Sequence, residues 1–397
     1  MEKRDMTKPS DMSAGPGRKY RILLVVRWPV GGIRTFIRYV YSRFETDKFH
    51  FSILGPDIPE LDTLLEELPG MDIELIKLSQ RPTTREFLLS IMRVVIHGKF
   101  DLIHSHGFTS GICASLPAFL ARRSHILTSH DVLNQKQFIG ISGKIKRIGM
   151  SITLSMIQLI HSVSKDAQEN LLEFFPRFRN IPGKCVVIPN GIEMKRFLEI
   201  QPRKLRKELE VDDSTFLIGF LGRFMAQKGF KYLVDAIEEL VKVDNLPKKF
   251  LVVSFGEDGF VREEKAQIED KGLENFFRFL PFTMNIAGAV KALDVVVMPS
   301  LWEACPLLPM EVFVCGTPLI ATDCIGLREV IAGTPARTIK PKDSSGLARA
   351  ICEEMVDENS KIRSKHFVEH AKLRFSVEQQ AQKIYETYLY LMDGYNL

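Results

Sequence analysis

Several familiar sequence patterns are missing from this chain, and each absence removes a class of protein. None of the six cysteines has C-x-x-C spacing, so neither a zinc site nor a disulfide framework is expected, and a reducing compartment fits best. No strand-like segment is followed by G-x-G-x-x-G, and G-x-x-x-x-G-K-[ST] does not occur. A dinucleotide-dependent oxidoreductase and a P-loop ATPase are therefore not expected.

Long apolar runs are also missing. The longest uncharged segment, residues 148–164, contains Ser, Thr, Gln and His and is shorter than the about 20 apolar residues of a membrane span. We expect it to form a buried helix that leads into a strand. Residues 1–19 are polar and lack the apolar core of a signal peptide, so we expect a disordered lead-in. The expected location is cytoplasmic, with the inner face of the cell membrane as an alternative.

The composition indicates a globular protein with two domains. The chain has 397 residues, 45% hydrophobic and 26% charged, and this length exceeds one ordinary core. The net charge is +5, and the excess of Lys and Arg lies in residues 1–195. This half is expected either to meet an anionic partner, such as a membrane or a phosphorylated acceptor, or to have an ordinary solvated surface. It lacks the basic and aromatic platform that nucleic-acid binding requires.

Strand-like and helix-like segments alternate in both halves of the chain. This alternation predicts parallel strands joined by crossover helices. The predicted strands of the first half are residues 20–26, 49–55, 72–78, 100–106, 125–131, 160–164 and 185–191. Those of the second half are residues 216–222, 249–256, 276–282, 293–300 and 318–323. Two doubly wound α/β domains in tandem would leave a cleft between them, where ligands meet the carboxyl ends of strands.

The boundary between the domains is expected in a charged segment that follows an Asn-Gly turn at Asn190 and Gly191. We predict a first domain over residues 20–198 and a second over residues 199–375. Residues 376–397 contain an amphipathic pattern and are predicted to form a closing helix.

Two cations follow the first predicted strand of the second half. Arg223 and Lys228 lie in a loop before a helical pattern, where a guanidinium fork and an ammonium group are able to hold a diphosphate. The same residues also fit an ordinary basic surface loop. Gly256, after the next strand, permits close approach of a ligand to the backbone but is equally typical of a plain turn.

A pair of glutamates stands in an apolar segment between two strand-like runs. Pro309 suits the first turn of a short helix and Gly316 its end, and the N-terminus of such a helix attracts anions. Glu303 precedes this helix and Glu311 lies in its first turns. A carboxylate accepts two hydrogen bonds and so suits the vicinal diol of a ribose or a sugar ring. The arrangement fits a nucleotide sugar, although two glutamates at this spacing also occur by chance.

The order of these motifs resembles that of the retaining glycosyltransferases of family 4, which have the GT-B fold of two Rossmann-like domains. The resemblance runs from about residue 20 to the end of the chain. The matching elements are Gly31-Gly32, HSH at 104–106, SHD at 129–131, HSVSKDAQENL at 161–171, PNGI at 189–192, GRFMAQKG at 222–229, GEDG at 256–259, Glu303 with Glu311, CGTPLIATD at 315–323 and the closing FSVEQQAQKIYETY. It implies transfer from a nucleotide sugar, with UDP as the preferred nucleotide, without a metal or other cofactor.

The resemblance implies roles for individual residues. Arg223 and Lys228 would bind the donor diphosphate and stabilise the departing nucleotide. Glu311 would hold the ribose diol, and Glu303 would bind hydroxyls of the transferred sugar. The other donor-side positions are glycines, at Gly31, Gly32, Gly222 and Gly256, and the backbone amides of Cys305 and Leu307 on either side of Pro306.

Three further expectations concern the first domain. His130 would lie near the reacting carbon or, alternatively, be a hydrogen-bonded core histidine. His104 and His106 are expected to be structural or acceptor-side residues. The closing helix would cross back onto this domain.

The chain departs from the family pattern between the two glutamates. It has Ala304, Cys305 and Pro306 where a glycine and an aromatic residue are common. Pro306 has no backbone N–H, which puts the choice of sugar in doubt more than activity. Arg328 adds a cation without an assigned role.

Several alternatives remain open at this point. The acceptor would be a glycan or a lipid-linked glycan of the cell surface. A sugar-nucleotide epimerase of the same fold, or a binding subunit without turnover, would share the motifs. The basic residues Lys136, Lys144, Lys146 and Arg147, with aromatics at 174–179, suggest contact with an anionic membrane, or else an ordinary helix surface.

Overall fold

The chain folds into two parallel α/β domains, which confirms the predicted fold class. The computed structural model describes residues 18–256, 261–281, 283 and 285–393, so nearly all of the predicted lead-in lies outside the described residues. Strand neighbours in both sheets are parallel. Helices cover both faces of such sheets, which explains why most strands are continuous apolar runs rather than alternating ones.

The first sheet lies in the N-terminal half. Its strands are β1 Tyr20–Val26, β2 Phe49–Pro56, β3 Ile73–Leu78, β4 Leu102–His106, β5 Ser124–Ser129, β6 Leu159–Ser162 and β7 Cys185–Val187. Its helices are α1 Gly31–Tyr41, α2 Pro59–Glu66, α3 Thr84–His97, α4 Phe108–Leu120, α5 Gly140–Met156 and α6 Lys165–Phe174. The short helices α7 Lys195–Leu198 and α8 Leu205–Glu208 follow. The strand order is β3-β2-β1-β4-β5-β6-β7.

The second sheet repeats this plan. Its strands are β8 Phe216–Leu221, β9 Phe250–Phe255, β10 Phe277–Leu280, β11 Val295–Met298, β12 Leu319–Thr322 and β13 Arg337–Ile339. The helices are α9 Phe230–Leu240, α10 Val261–Asp270, α11 Ile286–Ala292, α12 Leu308–Cys315, α13 Leu327–Ile331, α14 Ser344–Val356, α15 Ser360–Arg374 and α16 Val377–Asp393. The strand order is β10-β9-β8-β11-β12-β13.

Each sheet reverses its strand order beside its first strand. β1 lies between β2 and β4, and β8 lies between β9 and β11. At such a point the loops leave neighbouring strands in opposite directions and open a crevice at their carboxyl ends. The loops after β8 and β11 therefore border one crevice, and these loops contain the cations and the first glutamate of the sequence motifs.

The last helix, α16, packs against the first domain. It contacts α1 and β4, and its Tyr388 is fully buried there. The Tyr20 hydroxyl donates to the Asp393 carboxylate at 2.7 Å. The division of the chain between residues 198 and 199 stays a prediction.

The prediction of a buried helix within residues 148–164 is wrong. α5 buries Met150 and Leu154 but exposes Ile148 and Ile152. The uncharged run therefore forms the end of α5 and then β6. Only one face of this part of α5 packs on the protein.

Candidate active site

The loop after β8 is held against the loop after β11. Gly229 has φ +69°, and a Cβ there would lie 2.0 Å from the Pro299 carbonyl oxygen, so only glycine fits this approach. The Leu301 N–H donates to the Gln227 carbonyl at 2.8 Å. The Gln227 side chain donates in turn to the Trp302 carbonyl at 2.9 Å. These contacts bring Lys228, in the 3₁₀ turn Ala226–Lys228, next to the first glutamate.

Lys228 and Glu303 form an ion pair at the base of this crevice. The Lys228 Nζ lies 2.7 Å from Glu303 Oε1, with side-chain exposures of 26% and 7%. The Ser300 hydroxyl donates to the same oxygen at 2.8 Å. A carboxylate removed from water needs this compensation, so Glu303 is held in one position. Arg223 is exposed and makes no ion pair within the described residues, which leaves its guanidinium free for a ligand.

The second glutamate is buried and has no hydrogen-bond partner among the residues that the structure describes. Glu311 lies in the first turn of α12, which has Pro309 near its start and ends at Gly316 in the left-handed conformation. Nothing in the described part of the chain donates a hydrogen bond to its carboxylate. Burial raises the pKa of Glu311 to about 7, against the opposing charges of Arg38 and Arg196.

Free backbone amides precede α12. The N–H groups of Cys305 and Leu307 donate to no acceptor among the described residues, whereas Pro306 between them has no N–H to give. The carbonyls of this segment are already used: Ser164 donates to the Ala304 carbonyl at 2.6 Å, and Asn190 to the Cys305 carbonyl at 2.9 Å. The segment therefore faces the first domain with its carbonyls and retains amides for an anion.

Arg328 joins the two domains. Its guanidinium makes a bidentate contact with the Asp166 carboxylate of α6, at 2.8 and 2.7 Å. The Gly326 N–H donates to the same carboxylate at 2.8 Å, and Glu329 accepts from the Asp166 N–H at 3.0 Å. The cation that lacked a role in the sequence thus ties the start of α6 to the start of α13.

Two glycines border the crevice at the ends of neighbouring strands. Gly222 follows β8 with φ +140°, and Gly256 follows β9 with φ +136°. A Cβ on Gly256 would lie 3.2 Å from the Gly222 carbonyl oxygen. Residues 257–259, the rest of the predicted glycine turn, lie outside the described residues.

The first domain supplies the opposite wall. Gly31 and Gly32 begin α1, and a Cβ on either would meet no atom within 4 Å, so the space beside them is open. His130 follows β5 and is half-buried. Its ring lies 4.9 Å from the Phe36 ring of α1, and its Nε2 lies 3.0 Å from His106 Nδ1. Burial, with a smaller effect of His161, lowers the pKa of His130 to about 3, so the ring is neutral at physiological pH.

Charges on the two walls act on each other across the cleft. Partial removal from water raises the pKa of Asp131, and the Glu303 carboxylate adds to this. Burial raises the pKa of Tyr39 to about 12, and Glu311 contributes. The residues next to His130 and those on α1 therefore face the two glutamates.

Other residues near the site had no motif to identify them. They are Arg38, Arg196 and Ser300, which act on the glutamates; Gln227, which positions Lys228, lies within the motif at residues 222–229. The spacing S-x-x-E of Ser300 and Glu303 is the only local pattern that could have suggested one of them.

Two parallel α/β domains, with cations and carboxylates of the second facing a histidine of the first, define a glycosyltransferase of the GT-B type. The profile of Glycosyltransferase Family 4 matches residues 30–196, and that of Glycosyl transferases group 1 matches residues 215–357. The chain belongs to the family 4, group 1 glycosyltransferases.

Named relatives agree with this assignment. The chain is 26% identical over 306 residues to the D-inositol 3-phosphate glycosyltransferase of Corynebacterium jeikeium, covering 73% of this chain and 72% of that protein. It is 23% identical over 310 residues to the UDP-Gal:alpha-D-GlcNAc-diphosphoundecaprenol alpha-1,3-galactosyltransferase of Escherichia coli, covering 76% and 78%. The crystal structure of Anabaena HepE in complex with UDP and glucose has a TM-score of 0.78 at 22% identity, covering 93% of this chain and 99% of that one. This last likeness shows the fold.

Membrane-spanning helices and metal-binding clusters are both absent from residues 18–256, 261–281, 283 and 285–393. None of the helices there combines the length and the apolar character needed to cross a membrane. No group of three or more His, Cys, Asp or Glu side chains there has an arrangement that could hold a metal ion.

Proposed function

We propose that this glycosyltransferase moves a sugar from a UDP-sugar to a glycan or lipid-linked acceptor in cell-surface polysaccharide or glycolipid biosynthesis, with retention of configuration and without a metal. The observation that carries the proposal is the buried carboxylate of Glu311, which, like the amides before α12, has no partner in the described part of the chain. A buried carboxylate is costly unless a ligand supplies donors, and a ribose diol supplies two. The complex of HepE with UDP and glucose and the UDP-Gal-dependent relative support the choice of nucleotide.

The chemistry follows from the Lys228–Glu303 pair. The donor diphosphate would lie against Lys228 and Arg223, and the sugar hydroxyls would take the place of the ammonium group at Glu303. As the bond from the anomeric carbon to the phosphate breaks, its electron pair goes to the phosphate oxygen, and the two cations stabilise that charge. They supply the positive charge that the departure requires, so no metal is invoked.

Retention is proposed through attack on the face that the phosphate leaves. The acceptor oxygen bonds to the anomeric carbon while its proton passes to the departing phosphate oxygen. Glu303 is proposed to bind sugar hydroxyls and not to act as a nucleophile, because the Ser300 hydroxyl still donates to its Oε1 after the ammonium group has moved to the diphosphate.

The donor is tested by calorimetric titration of the protein with UDP, GDP, ADP and CMP. We expect UDP to bind, and Glu311→Gln to weaken UDP binding by about tenfold or more, since a charged hydrogen-bond acceptor is lost. Binding of GDP or ADP instead would change the donor class, and binding of none would overturn the nucleotide-sugar proposal. NMR of the product anomer then tests retention, and epimer formed from donor alone would favour the epimerase alternative.

An exposed apolar stripe on α5 supports contact with a membrane. Ile141, Ile145, Ile148 and Ile152 follow each other at spacings of four, three and four, and so lie on one helix face. Their exposures run from 80% to 49%. The adjacent helix α4 exposes Phe119 as well. Isolated exposed apolar residues are common, but a contiguous patch of this kind marks an interaction surface.

Basic residues lie beside this stripe. Lys146 lies over the Phe138 ring, and Lys144 is exposed on the same helix. Phe175 and Phe178, which the sequence offered as further surface aromatics, are buried instead. Cations beside exposed isoleucines match an anionic lipid bilayer, so we propose that α5 docks the enzyme on such a membrane, where a lipid-linked acceptor would reside.

Vesicle co-sedimentation tests this docking. We expect wild-type protein to bind vesicles that contain phosphatidylglycerol, and Ile145→Ser/Ile148→Ser to bind about 10- to 100-fold more weakly, since two side chains no longer enter the apolar layer. The matched control is Ile362→Ser/Leu373→Ser on α15, which changes two equally exposed residues and is expected to bind like wild type. Absence of wild-type binding at low salt, or equal loss in both variants, would contradict the proposal.

A further inference from the structure

A buried network of polar side chains leads from the core of the first domain to His130. The alternation of side chains along β4, β5 and β6 puts its strand residues on one face of the sheet, where α1 and α16 cover them. The members, in order of contact, are His161, Thr128, His104, Tyr388, Tyr41, His106 and His130. The proposed chemistry gives no role to these residues, and the sequence motifs suggested a place near the reacting carbon only for His130.

The direction of the hydrogen bonds is fixed at one end of this network. His161 Nε2 lies 2.8 Å from the Ile188 carbonyl oxygen, and a carbonyl only accepts, so the proton is on Nε2 and Nδ1 is an acceptor. The Thr128 hydroxyl must then donate to His161 Nδ1, at 2.9 Å. Its oxygen accepts from His104 Nε2 at 2.6 Å. His104 therefore presents Nδ1 as an acceptor to the two tyrosines.

None of the histidines or tyrosines in this network changes its charge near physiological pH, so the directions of the hydrogen bonds are kept. Burial lowers the pKa of His104 and His106 well below the ordinary value, with neighbouring histidines contributing, and it lowers the pKa of His161 to about 4. Burial also raises the pKa of Tyr41 and Tyr388. The rings are neutral and the hydroxyls protonated at physiological pH, so only the tautomers are free to vary.

The tyrosine pair decides which tautomer His106 adopts. The Tyr388 hydroxyl lies 2.7 Å from His104 Nδ1, and the Tyr41 hydroxyl lies 3.0 Å from His106 Nε2 and 3.1 Å from the Tyr388 hydroxyl. If His106 carries its proton on Nε2, it donates to Tyr41, Tyr388 also donates to Tyr41, and Tyr41 donates to His104 Nδ1, which lies 2.9 Å away. If the proton is on Nδ1, Tyr41 must donate to His106, and Tyr388 can then donate to Tyr41 or to His104 but not to both. The first arrangement makes one more buried hydrogen bond, which favours it about fivefold.

The tautomer of His106 sets that of His130. With its proton on Nε2, His106 accepts at Nδ1 from His130 Nε2, at 3.0 Å. His130 Nδ1 then carries a lone pair, and it has no hydrogen-bond partner among the described residues. We propose that Tyr41 is a positioning residue that holds His130 in the Nε2–H tautomer, so that Nδ1 accepts a hydrogen bond from a sugar hydroxyl in the cleft. The identity of that ligand rests on the proposed function, whereas the tautomer does not.

Two matched substitutions test the proposal, because each removes one hydroxyl of the same pair. In Tyr388→Phe, Tyr41 still donates to His104 and still accepts from His106, so His130 keeps its proton on Nε2. In Tyr41→Phe, an Nε2–H on His106 would be a buried donor without an acceptor. Orphaned N–H groups are rarer than unused acceptors, so the proton of His106 moves to Nδ1 and that of His130 moves from Nε2 to Nδ1.

The readout is ¹⁵N NMR of the histidine rings in the ligand-free protein, with the His130 resonances assigned by their loss in His130→Gln. We expect the Nε2–H form to predominate in wild type and in Tyr388→Phe, and the Nδ1–H form in Tyr41→Phe. A predominant Nδ1–H form in wild type overturns the proposal without any variant, and so does an unchanged tautomer in folded Tyr41→Phe.

Kinetics then tests the consequence for the cleft. We expect Tyr41→Phe to lower kcat about tenfold with UDP affinity unchanged, since Tyr41 is fully buried and offers no surface to the nucleotide. We expect Tyr388→Phe to keep kcat. Equal loss in both variants would show a structural role only and would overturn the positioning role. If UDP does not bind at all, the proposed function fails while the tautomer result still stands by itself.

Discussion

Lys228→Ala is expected to lower kcat/KM by about 100- to 1000-fold, the usual cost of removing one group that stabilises developing charge. In the ligand-free protein the Lys228 ammonium group lies 2.7 Å from the Glu303 carboxylate. Lys228 is in the loop after β8, the strand beside which the strand order of the second sheet reverses. It therefore needs little rearrangement to meet a departing phosphate. Single-turnover rates with a UDP-sugar measure the loss, because they exclude product release.

Lys231→Ala is the control for this substitution. Lys231 is exposed on α9, three residues further along the chain, and makes no ion pair among the described residues, so its loss is expected to leave the rate unchanged. Equal rates for Lys228→Ala and wild type would refute the assignment of the site.

A loss of folding must be separated from a loss of chemistry. Lys228→Ala leaves the Glu303 carboxylate with the Ser300 hydroxyl as its only side-chain partner in the described chain, and an uncompensated buried charge destabilises a protein. The double variant Lys228→Ala/Glu303→Gln removes that charge, so it is expected to regain thermal stability but not activity. Recovery of the rate in the double variant would assign the defect to folding.

Most of the sheet architecture follows from local sequence, because a strand buried on both faces is a continuous apolar run. β1 matches its predicted bounds, and the predicted strands that follow it differ mostly at their ends. β13 was not predicted, since a three-residue edge strand that contains Arg337 has no such run. The prediction that residues 148–164 begin with a buried helix was wrong because an uncharged apolar run does not show how many faces of a helix are buried. One face of α5 packs on the protein and the other meets solvent.

The candidate site was only partly accessible from sequence. The order of motifs indicated Lys228 and both glutamates, and H-x-H predicts that His104 and His106 share one face of a strand. The contacts that position them join residues far apart in the chain, such as Asp166 with Arg328 and Tyr41 with Tyr388. No local pattern encodes such pairs, because they depend on how the two domains and α16 pack.

Nucleotide affinity is expected to rise with pH through the ionisation of Glu311. Burial raises the pKa of this carboxyl to about 7, and only the ionised form accepts both hydrogen bonds of a ribose diol. Below that pKa, UDP affinity should therefore fall by up to about tenfold per pH unit. The phosphate of UDP titrates in the same range, so the comparison is with Glu311→Gln, in which only the phosphate contribution remains. Parallel pH profiles for the two proteins would exclude Glu311 from the ribose site.

The same carboxyl links function to stability. Its pKa is higher in the folded protein than in the unfolded chain, so the folded state holds the extra proton between about pH 4.5 and 7. The contribution of Glu311 to the free energy of unfolding is therefore fully present below that window and is lost as the pH rises through it. At about 1.4 kcal/mol per pKa unit, the loss is at most about 3.5 kcal/mol.

Glu311→Gln is accordingly expected to be more stable than wild type at pH 8, by about 2 kcal/mol, and similar at pH 4, as measured by urea unfolding. Glu358→Gln, at an exposed position, is expected to leave the free energy of unfolding unchanged at both pH values. If the variant has a higher free energy of unfolding but a lower affinity for UDP, the buried carboxylate serves ligand binding and destabilises the fold. If Glu311→Gln instead destabilises the protein at pH 8, the Glu311 carboxylate has a hydrogen-bond donor in the ligand-free enzyme. The argument that assigns it to the ribose would then fail.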